Sequence, residues 1–144
     1  MDVSNSGLLQ VNNLTFAATA TGFTSSSSLV ITGNLTTIAL SSAIFSAPSV
    51  VAFKDTTGAV GTKTITNGGT LTLSSLYIHD DINQTTVDQA VAAVTITITG
   101  DIYVYGNSSF DVSTSTGDIV LSGTTTKTFY NEGTLNFYDL TVAN

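Results

Sequence analysis

The chain contains no cysteine, no tryptophan and no arginine, and it has only one proline and one histidine. Without cysteine there is neither a disulfide framework nor thiolate chemistry. A zinc enzyme is not expected either, because zinc sites are built mainly from cysteine and histidine. Charged residues are scarce, with 10 acidic and 3 basic side chains and a formal net charge of -7. This balance excludes nucleic acid and anionic membranes as expected partners.

Long hydrophobic runs are also missing. The apolar runs are only a few residues long, as at 90–94, so no membrane insertion is expected and residues 1–5 do not read as a signal peptide. The hydrophobic fraction is nevertheless 42% of 144 residues, and the mean hydropathy is +0.33. Such a chain can bury a sizeable core, and we expect residues 1–144 to form one domain.

Threonine and serine dominate what is present, with 27 threonines and 17 serines. Threonine favours β-strands and tolerates exposure to solvent. Abundant hydroxyls with so few lysines are typical of extracellular surface proteins, where hydroxyls and attached glycans replace charge as the source of solubility. The composition therefore predicts an extracellular or cell-surface location.

An internal repeat organises the chain. Segments 5–16, 67–78 and 131–142 share the pattern N-x-G-x-L-x-Φ-x-x-L-x-Φ, where Φ is a large apolar residue. A second pair, 31–35 and 98–102, reads Ile-Thr-Gly-Asn/Asp-Leu/Ile. Repeats of this kind indicate a repeat architecture. We expect two units of roughly 64 residues, at about 5–66 and 67–130, followed by a partial third at 131–144.

Within the repeat, apolar residues alternate with polar ones, which predicts half-buried strands. Leu71 and Leu73 are followed, after a two-residue step, by Leu76 and Ile78, and this step predicts a corner between two strands. The preceding Asn-x-Gly predicts a turn, with glycine supplying a positive φ. One stretch resembles a helix start, because a possible capping box at 85–88 precedes apolar residues at helical spacing up to Val94.

Two all-β architectures fit many short strands and one proline. The first is a β-solenoid of the parallel β-helix kind, with about 20 residues in each turn and about seven turns. The alternative is a β-sandwich or jelly roll that exchanges a terminal strand with a neighbour. The repeat favours the solenoid, since a sandwich has no need of one. In a solenoid, segments 67–78 and 131–142 would occupy equivalent places about three turns apart.

At these residues the chain resembles repeat units of bacterial and archaeal cell-surface proteins with β-solenoid, adhesin-like stalks. The resemblance is carried by Ile98-Thr-Gly-Asp-Ile-Tyr-Val104, Ser122-Gly-Thr-Thr-Thr-Lys-Thr-Phe129 and Gly133-Thr-Leu-Asn-Phe-Tyr-Asp-Leu-Thr-Val142. It covers residues 95–142 well and 1–78 loosely, and the stretch from Thr36 to Val51 departs from the pattern. It implies a secreted structural or adhesive role and assigns no catalytic residue.

Candidate sites are few. Asp80 and Asp81, beside His79 and near Asp88, form the one cluster with enough oxygen ligands to suggest calcium, and a solvated loop explains them equally. No other cofactor is expected. The carboxylates of Asp101, Asp111 and Asp118 recur at spacings that would suit a polysaccharide-acting solenoid enzyme if they stacked on one wall, and solvated turns are the alternative.

Three surface features bear on binding. Thr-x-Thr runs at 62–66, 70–72, 95–99 and 124–128 raise ice binding as a hypothesis, against the ordinary preference of exposed strands for threonine. Tyr103, Tyr105 and Phe110 are an aromatic group that could hold a cell-surface glycan. Sequons for N-glycosylation lie at Asn13, Asn34, Asn83 and Asn107.

The terminal repeat segments predict self-association. They are apolar and carry neither lysine nor proline to protect an open strand edge, so we expect neighbouring copies to cover them. The residues expected in this contact are Leu8, Leu9, Val11, Leu14, Phe16, Leu135, Phe137, Leu140 and Val142. The sequence thus favours a non-enzymatic extracellular protein that forms a homopolymeric filament or stalk. A surface adhesin or carbohydrate-binding module is the alternative, and a polysaccharide-acting enzyme is the third.

Overall fold

A computed structural model describes residues 8–17, 23–25, 28–39, 41–46, 49–54, 61–79, 85–89, 95–113 and 117–143. Every regular element in these ranges is a β-strand. The strands, numbered in chain order, are β1 Leu9–Val11, β2 Leu14–Phe16, β3 Phe23–Ser25, β4 Leu29–Ile31, β5 Leu35–Thr37, β6 Ser42–Phe45, β7 Val51–Lys54, β8 Gly61–Asn67, β9 Thr70–Leu73, β10 Leu76–His79, β11 Thr85–Gln89, β12 Ile96–Ile98, β13 Ile102–Val104, β14 Ser109–Val112, β15 Asp118–Ser122, β16 Phe129–Asn131, β17 Thr134–Phe137 and β18 Asp139–Ala143.

The strands form three parallel six-stranded sheets. Sheet 1 has the order β1-β4-β7-β10-β13-β16, sheet 2 has β2-β5-β8-β11-β14-β17, and sheet 3 has β3-β6-β9-β12-β15-β18. Each set of three consecutive strands visits all three sheets and is called a rung below, so that β1–β3 are the first rung and β16–β18 the sixth. The fold is therefore a β-solenoid, as the repeat predicts, and the sandwich alternative is wrong.

Rung length differs from the expected value. Register partners on sheet 1 are separated by 20 residues between Leu9 and Leu29, and by 27 residues between Ile102 and Phe129. Because the later rungs have longer connections, the described strands make six rungs rather than seven.

The core fills the interior of the solenoid. In each strand alternate residues point inward, and in-register pairing stacks them into apolar columns. On sheet 3 one such column contains Ala43, Leu71, Ile96 and Ile119, all of them fully buried. Leu73, Leu76 and Ile78 are buried as the alternation predicts, whereas Thr72 is half-buried rather than exposed and Asn136 is exposed.

Polar side chains at the corners link each rung to the next. Oδ1 of Asn13 accepts a hydrogen bond from the backbone N–H of Asn34 at 2.7 Å, and Oδ1 of Asn34 accepts one from Thr64 N–H at 2.8 Å. At another corner Asp101 N–H donates to Oγ of Ser75, and Oδ1 of Asp101 accepts from Thr128 N–H at 2.7 Å. Corner backbone groups, which have left the sheet ladders, are satisfied in this way.

The corner glycines serve close approach rather than a positive φ. A Cβ on Gly100 would lie 2.0 Å from the carbonyl oxygen of Ser74, and one on Gly133 would lie 2.0 Å from that of Ser108. A positive φ is recorded among the described glycines only at Gly106 and Gly123. The expectation that the Asn-x-Gly step needs a positive φ is therefore wrong, because the neighbouring rung excludes a side chain there.

The sequence repeat does not coincide with a whole number of rungs. Its three copies span β1–β2, β9–β10 and β17–β18, so each copy is eight strands after the last and lies on a different pair of sheets. The pair at 31–35 and 98–102 follows the same rule, since its copies join β4 to β5 and β12 to β13. Segments 67–78 and 131–142 are thus not equivalent in position, as we had expected. The repeated unit is the strand–corner–strand step, which fits any of the three corners.

The expected helix start at 85–88 is also wrong. These residues belong to β11, which pairs with β8 and β14 in sheet 2, while 90–94 lie outside the described residues. The sheet ladder overrides the local helical spacing. In the part of the chain that the structure describes, no helix is long and apolar enough to cross a membrane.

Candidate functional site

Two surfaces stand out, and the first is the open face of the sixth rung. Leu140 and Val142 on β18 are paired in register with Ile119 and Leu121 on β15. Ile119 is fully buried, whereas Leu140 is 41% and Val142 68% exposed. The inward direction predicted for Leu140 is therefore right, but its predicted burial is wrong, because no described strand lies above it.

The other inward-facing residues of this rung behave in the same way. Phe129 is paired with Ile102 and is exposed, while Leu135 and Phe137 are only partly buried against the core. Edge-to-face contacts join Phe137 to Phe110 and to Phe129, with ring centroids 6.2 and 6.5 Å apart. We call Phe129, Leu135, Phe137, Leu140 and Val142 the sixth-rung face. It contains all four residues that the sequence predicted for self-association at this end.

The first rung presents a smaller apolar surface. Leu9, Val11 and Leu14 are partly buried against the core, and Phe16 is buried. Leu8, just before β1, is largely exposed. The five residues predicted for contact at this end therefore lie on one rung, but Phe16 already belongs to the core.

The second surface is a group of aromatic side chains on the outside of sheet 1. Tyr77, Tyr103 and Tyr130 are paired in register on β10, β13 and β16, and they point outward because the residues on both sides of Tyr77 and Tyr103 are buried. Ring centroids of Tyr77 and Tyr103 are 4.5 Å apart, and those of Tyr103 and Tyr130 are 6.0 Å apart.

Two further rings widen this group. Tyr105 lies 6.0 Å from Tyr103 and 5.6 Å from Tyr130, and His79 lies 5.0 Å from Tyr105 with the ring planes 18° apart. We call the five residues Tyr77, His79, Tyr103, Tyr105 and Tyr130 the tyrosine strip. It contains four of the five tyrosines of the chain and its single histidine.

Sequence reasoning found only part of this strip. It grouped Tyr103 and Tyr105 with Phe110, but Phe110 is fully buried in the core on sheet 2. Tyr77 and Tyr130 were missed. Their signal is a separation of 26 and 27 residues from Tyr103, which becomes meaningful only when the local rung length is known.

Carboxylates border the strip at its upper end. The phenol of Tyr130 donates to Oε1 of Glu132 at 2.6 Å, and Gly106 N–H donates to Oε2 of Glu132 at 3.0 Å. These bonds hold the pKa of Glu132 below its ordinary value, and the bond to Glu132 raises the pKa of Tyr130. The phenol of Tyr103 lies 3.5 Å from Oδ2 of Asp101.

The tyrosines of the strip favour their neutral form. Burial raises the pKa of Tyr77, and the neighbouring phenols of Tyr103 and Tyr105 raise it further. Burial also raises the pKa of Tyr105, followed by the influence of Tyr103 and Glu132. At neutral pH the strip therefore presents phenol hydroxyls that both donate and accept hydrogen bonds.

The carboxylates considered for catalysis do not share one wall. Asp101, Asp111 and Asp118 all belong to the fifth rung, at the corner before sheet 1, on sheet 2 and on sheet 3. The pKa of Asp111 is lowered by hydrogen bonds from the side chains of Ser113 and Asn136 and from Ser113 N–H. A general acid needs the opposite shift. Asp118 is opposite Asp139 in register, a like-charge pair of the kind that weakens a ladder.

The remaining candidates are scattered. Among the described residues no group of three or more metal-capable side chains occurs, and Asp80 and Asp81 lie outside those residues. Asn13, Asn34 and Asn107 are exposed, and Asn83 lies outside the described residues. The threonines form no single array: Thr15, Thr36 and Thr66 align on sheet 2, and Thr72 aligns with Thr97 on sheet 3.

The chain was also compared with known proteins. No protein-family model, no curated protein and no solved structure matches it.

Proposed function

We propose that this chain is an extracellular structural protein, without enzymatic activity, that stacks head to tail on copies of itself in a surface filament or stalk. The supporting observation is the sixth-rung face. Val142 is 68% exposed although its register partner Leu121 is 2% exposed. A further rung above it would remove this apolar surface from water, which is the main favourable term in protein association.

The first rung of a second copy suits this position. Following the register columns through the solenoid, Leu9 falls in the column of Phe129, Leu14 in that of Phe137 and Phe23 in that of Leu140. A large apolar residue therefore meets another on all three sheets. The edge strands of both rungs also carry backbone groups that a parallel neighbour would pair.

Such a contact joins two different surfaces of the molecule. A heterologous contact of this kind does not close on itself, so it produces an open fibre instead of a dimer. Few charges are involved, and the association should therefore change little with salt concentration.

The extracellular setting rests on composition and on the exposed sequons. The outer faces of the sheets are rich in threonine, and Asn13, Asn34 and Asn107 are accessible for glycosylation. The lowered pKa of Asp111 and the distribution of the fifth-rung carboxylates over different sheets give no support to a polysaccharide-acting enzyme.

Charge placed on the sixth-rung face tests the proposal. The purified chain should form particles whose length grows with protein concentration in light scattering and electron microscopy. The double variant Leu140→Lys/Val142→Lys should stay monomeric, because the lysines would be buried in the contact. Thr141→Lys is the matched control, since Thr141 pairs with Val120 on the outer face of the same strand and should leave the fibres intact.

A mixing experiment tests the head-to-tail geometry. A second variant, Leu9→Lys/Val11→Lys, should block the other end and also be monomeric, with its fold checked by circular dichroism. An equal mixture of the two blocked variants should give dimers and nothing larger, because each contributes one intact end. Growth of fibres by the Leu140→Lys/Val142→Lys variant, or a wild-type chain that is monomeric at all concentrations, would refute the proposal.

A further inference from the structure

The tyrosine strip is unusual because it gathers nearly all the tyrosine of the chain in one place. Tyr77, Tyr103 and Tyr130 stand on three consecutive rungs, so the strip runs along the solenoid axis for about 10 Å at a strand spacing of about 4.8 Å. The same outward column holds Gln10, Val30 and Ala52 in the first three rungs. Packing of the core does not require these outward tyrosines, because the inward residues beside them already fill it.

We infer that the tyrosine strip binds a neutral glycan chain lying along the solenoid axis. A pyranose ring has apolar C–H groups and a rim of hydroxyls. Tyrosine matches both, because it joins a rigid apolar ring to a polar tip. The phenols of Tyr103 and Tyr130 lie beside the carboxylates of Asp101 and Glu132, so that donors and acceptors for sugar hydroxyls occur together.

The charges around the strip favour a neutral ligand. Asp101 and Glu132 lie at one end, where a polyanionic glycan would be repelled. Lys54 lies at the other end, paired in register with His79, where a polycation would be repelled. A uniformly charged polymer therefore meets an unfavourable group somewhere along the strip, whereas an uncharged one does not.

The shape of the strip favours an extended chain over a compact cation. Aromatic sites for quaternary ammonium groups surround the ligand with rings on several sides. All five rings of the strip project from one face of a single sheet, and among the described residues no second element stands opposite them. An open strip more than one sugar ring long can contact successive units of a polymer.

Tyrosine fluorescence offers a direct measurement, since the chain has no tryptophan and four of its five tyrosines belong to the strip. The full chain is titrated with neutral hexasaccharides of glucose, xylose and N-acetylglucosamine, with polygalacturonate as an anionic probe, and with choline as a cationic one. Calorimetry gives the affinities. At least one neutral hexasaccharide should bind and change the fluorescence, and polygalacturonate and choline should not.

Variants separate the strip from other exposed aromatics. Tyr103→Ala, in the centre, should weaken binding about tenfold, a typical loss for one aromatic contact. Tyr138→Ala is the matched control, because Tyr138 is exposed on another side between β17 and β18 and its loss should leave affinity unchanged. Tyr103→Phe keeps the ring and should retain more affinity than Tyr103→Ala.

Several results would overturn the inference. These are binding of polygalacturonate or choline in preference to the neutral sugars, no binding of any neutral hexasaccharide at millimolar concentration, or equal losses for Tyr103→Ala and Tyr138→Ala. The fold of each variant is checked by circular dichroism, and Tyr77→Ala replaces Tyr103→Ala if the latter unfolds. Repeating the titration with the Leu140→Lys/Val142→Lys variant separates glycan binding from filament formation.

Discussion

Thr37 and Asn67 are register partners on β5 and β8, and both side chains are buried at the end of their strands. The hydroxyl of Thr37 donates to Oδ1 of Asn67, and Nδ2 of Asn67 donates to the carbonyl oxygen of Thr95 at 3.0 Å. One amide side chain thereby links three consecutive rungs. A buried polar group in a solenoid core is tolerated because each of its hydrogen-bonding atoms has a partner in the rung above or below.

Removal of this amide should be costly. Asn67→Ala leaves the Thr37 hydroxyl and the Thr95 carbonyl without their partner and is expected to lower the free energy of unfolding by about 1–3 kcal/mol. Chemical denaturation measures the change. Thr37→Val should cost less in the Asn67→Ala background than in the wild type, because the hydroxyl it removes is by then unsatisfied. Additive effects of the two substitutions would contradict the assigned hydrogen bond.

Register partners at the open end should differ sharply in stability effect. Ile119→Ala creates a cavity in the core and should cost roughly 2–5 kcal/mol. Leu140→Ala, directly above it, should cost less than about 1 kcal/mol in the monomer, because Leu140 is already exposed. Denaturation of both variants in the end-blocked Leu9→Lys/Val11→Lys background checks this difference. Equal losses would mean that Leu140 is covered within the monomer.

Neighbouring glycines offer a matched test of rung contact. A Cβ on Gly69 would lie 2.3 Å from the carbonyl oxygen of Ser41, whereas one on Gly68 would lie 3.1 Å from that of Thr37. Gly69→Ala forces backbone to move and should destabilise the fold by about 1–3 kcal/mol, and Gly68→Ala should cost clearly less. Thermal unfolding of the two variants compares them. A larger loss for Gly68→Ala would contradict the rung spacing at this corner.

Alkaline pH should act on the tyrosine strip. The pKa values of Tyr77, Tyr105 and Tyr130 are raised in the folded chain, mainly by burial for Tyr77 and Tyr105 and by the bond to Glu132 for Tyr130. The folded state then holds these protons more tightly than the unfolded state does. The resulting stabilisation is complete below the ordinary tyrosine pKa and is lost as the pH rises through the folded-state values.

Absorbance at the wavelength of ionised tyrosine, followed from neutral to strongly alkaline pH, measures this titration. Most of the signal should appear above the ordinary midpoint of tyrosine, and Glu132→Gln should shift the Tyr130 part downward, because the charged acceptor is lost. A wild-type titration centred at or below the ordinary value would contradict the contacts within the strip.

Local patterns in the sequence determined the strands and the solenoid class. The alternation at Leu71, Leu73, Leu76 and Ile78 fixed which side chains point inward, since successive residues in a strand face opposite sides. The strand–corner–strand repeat favoured stacked rungs over a sandwich. These are properties of a few adjacent residues, and they needed no knowledge of the chain elsewhere.

Only the tertiary structure decided how the steps are counted around the solenoid. The three corners accept the same local pattern, so the repeat of eight strands places Leu71 on sheet 3 and its counterpart Leu135 on sheet 2. The tyrosine strip depends on the same count, because Tyr77, Tyr103 and Tyr130 meet through rung lengths that vary along the chain. The exposure of Leu140 and Val142 was likewise hidden, since alternation gives the direction of a side chain and burial depends on what is stacked above it.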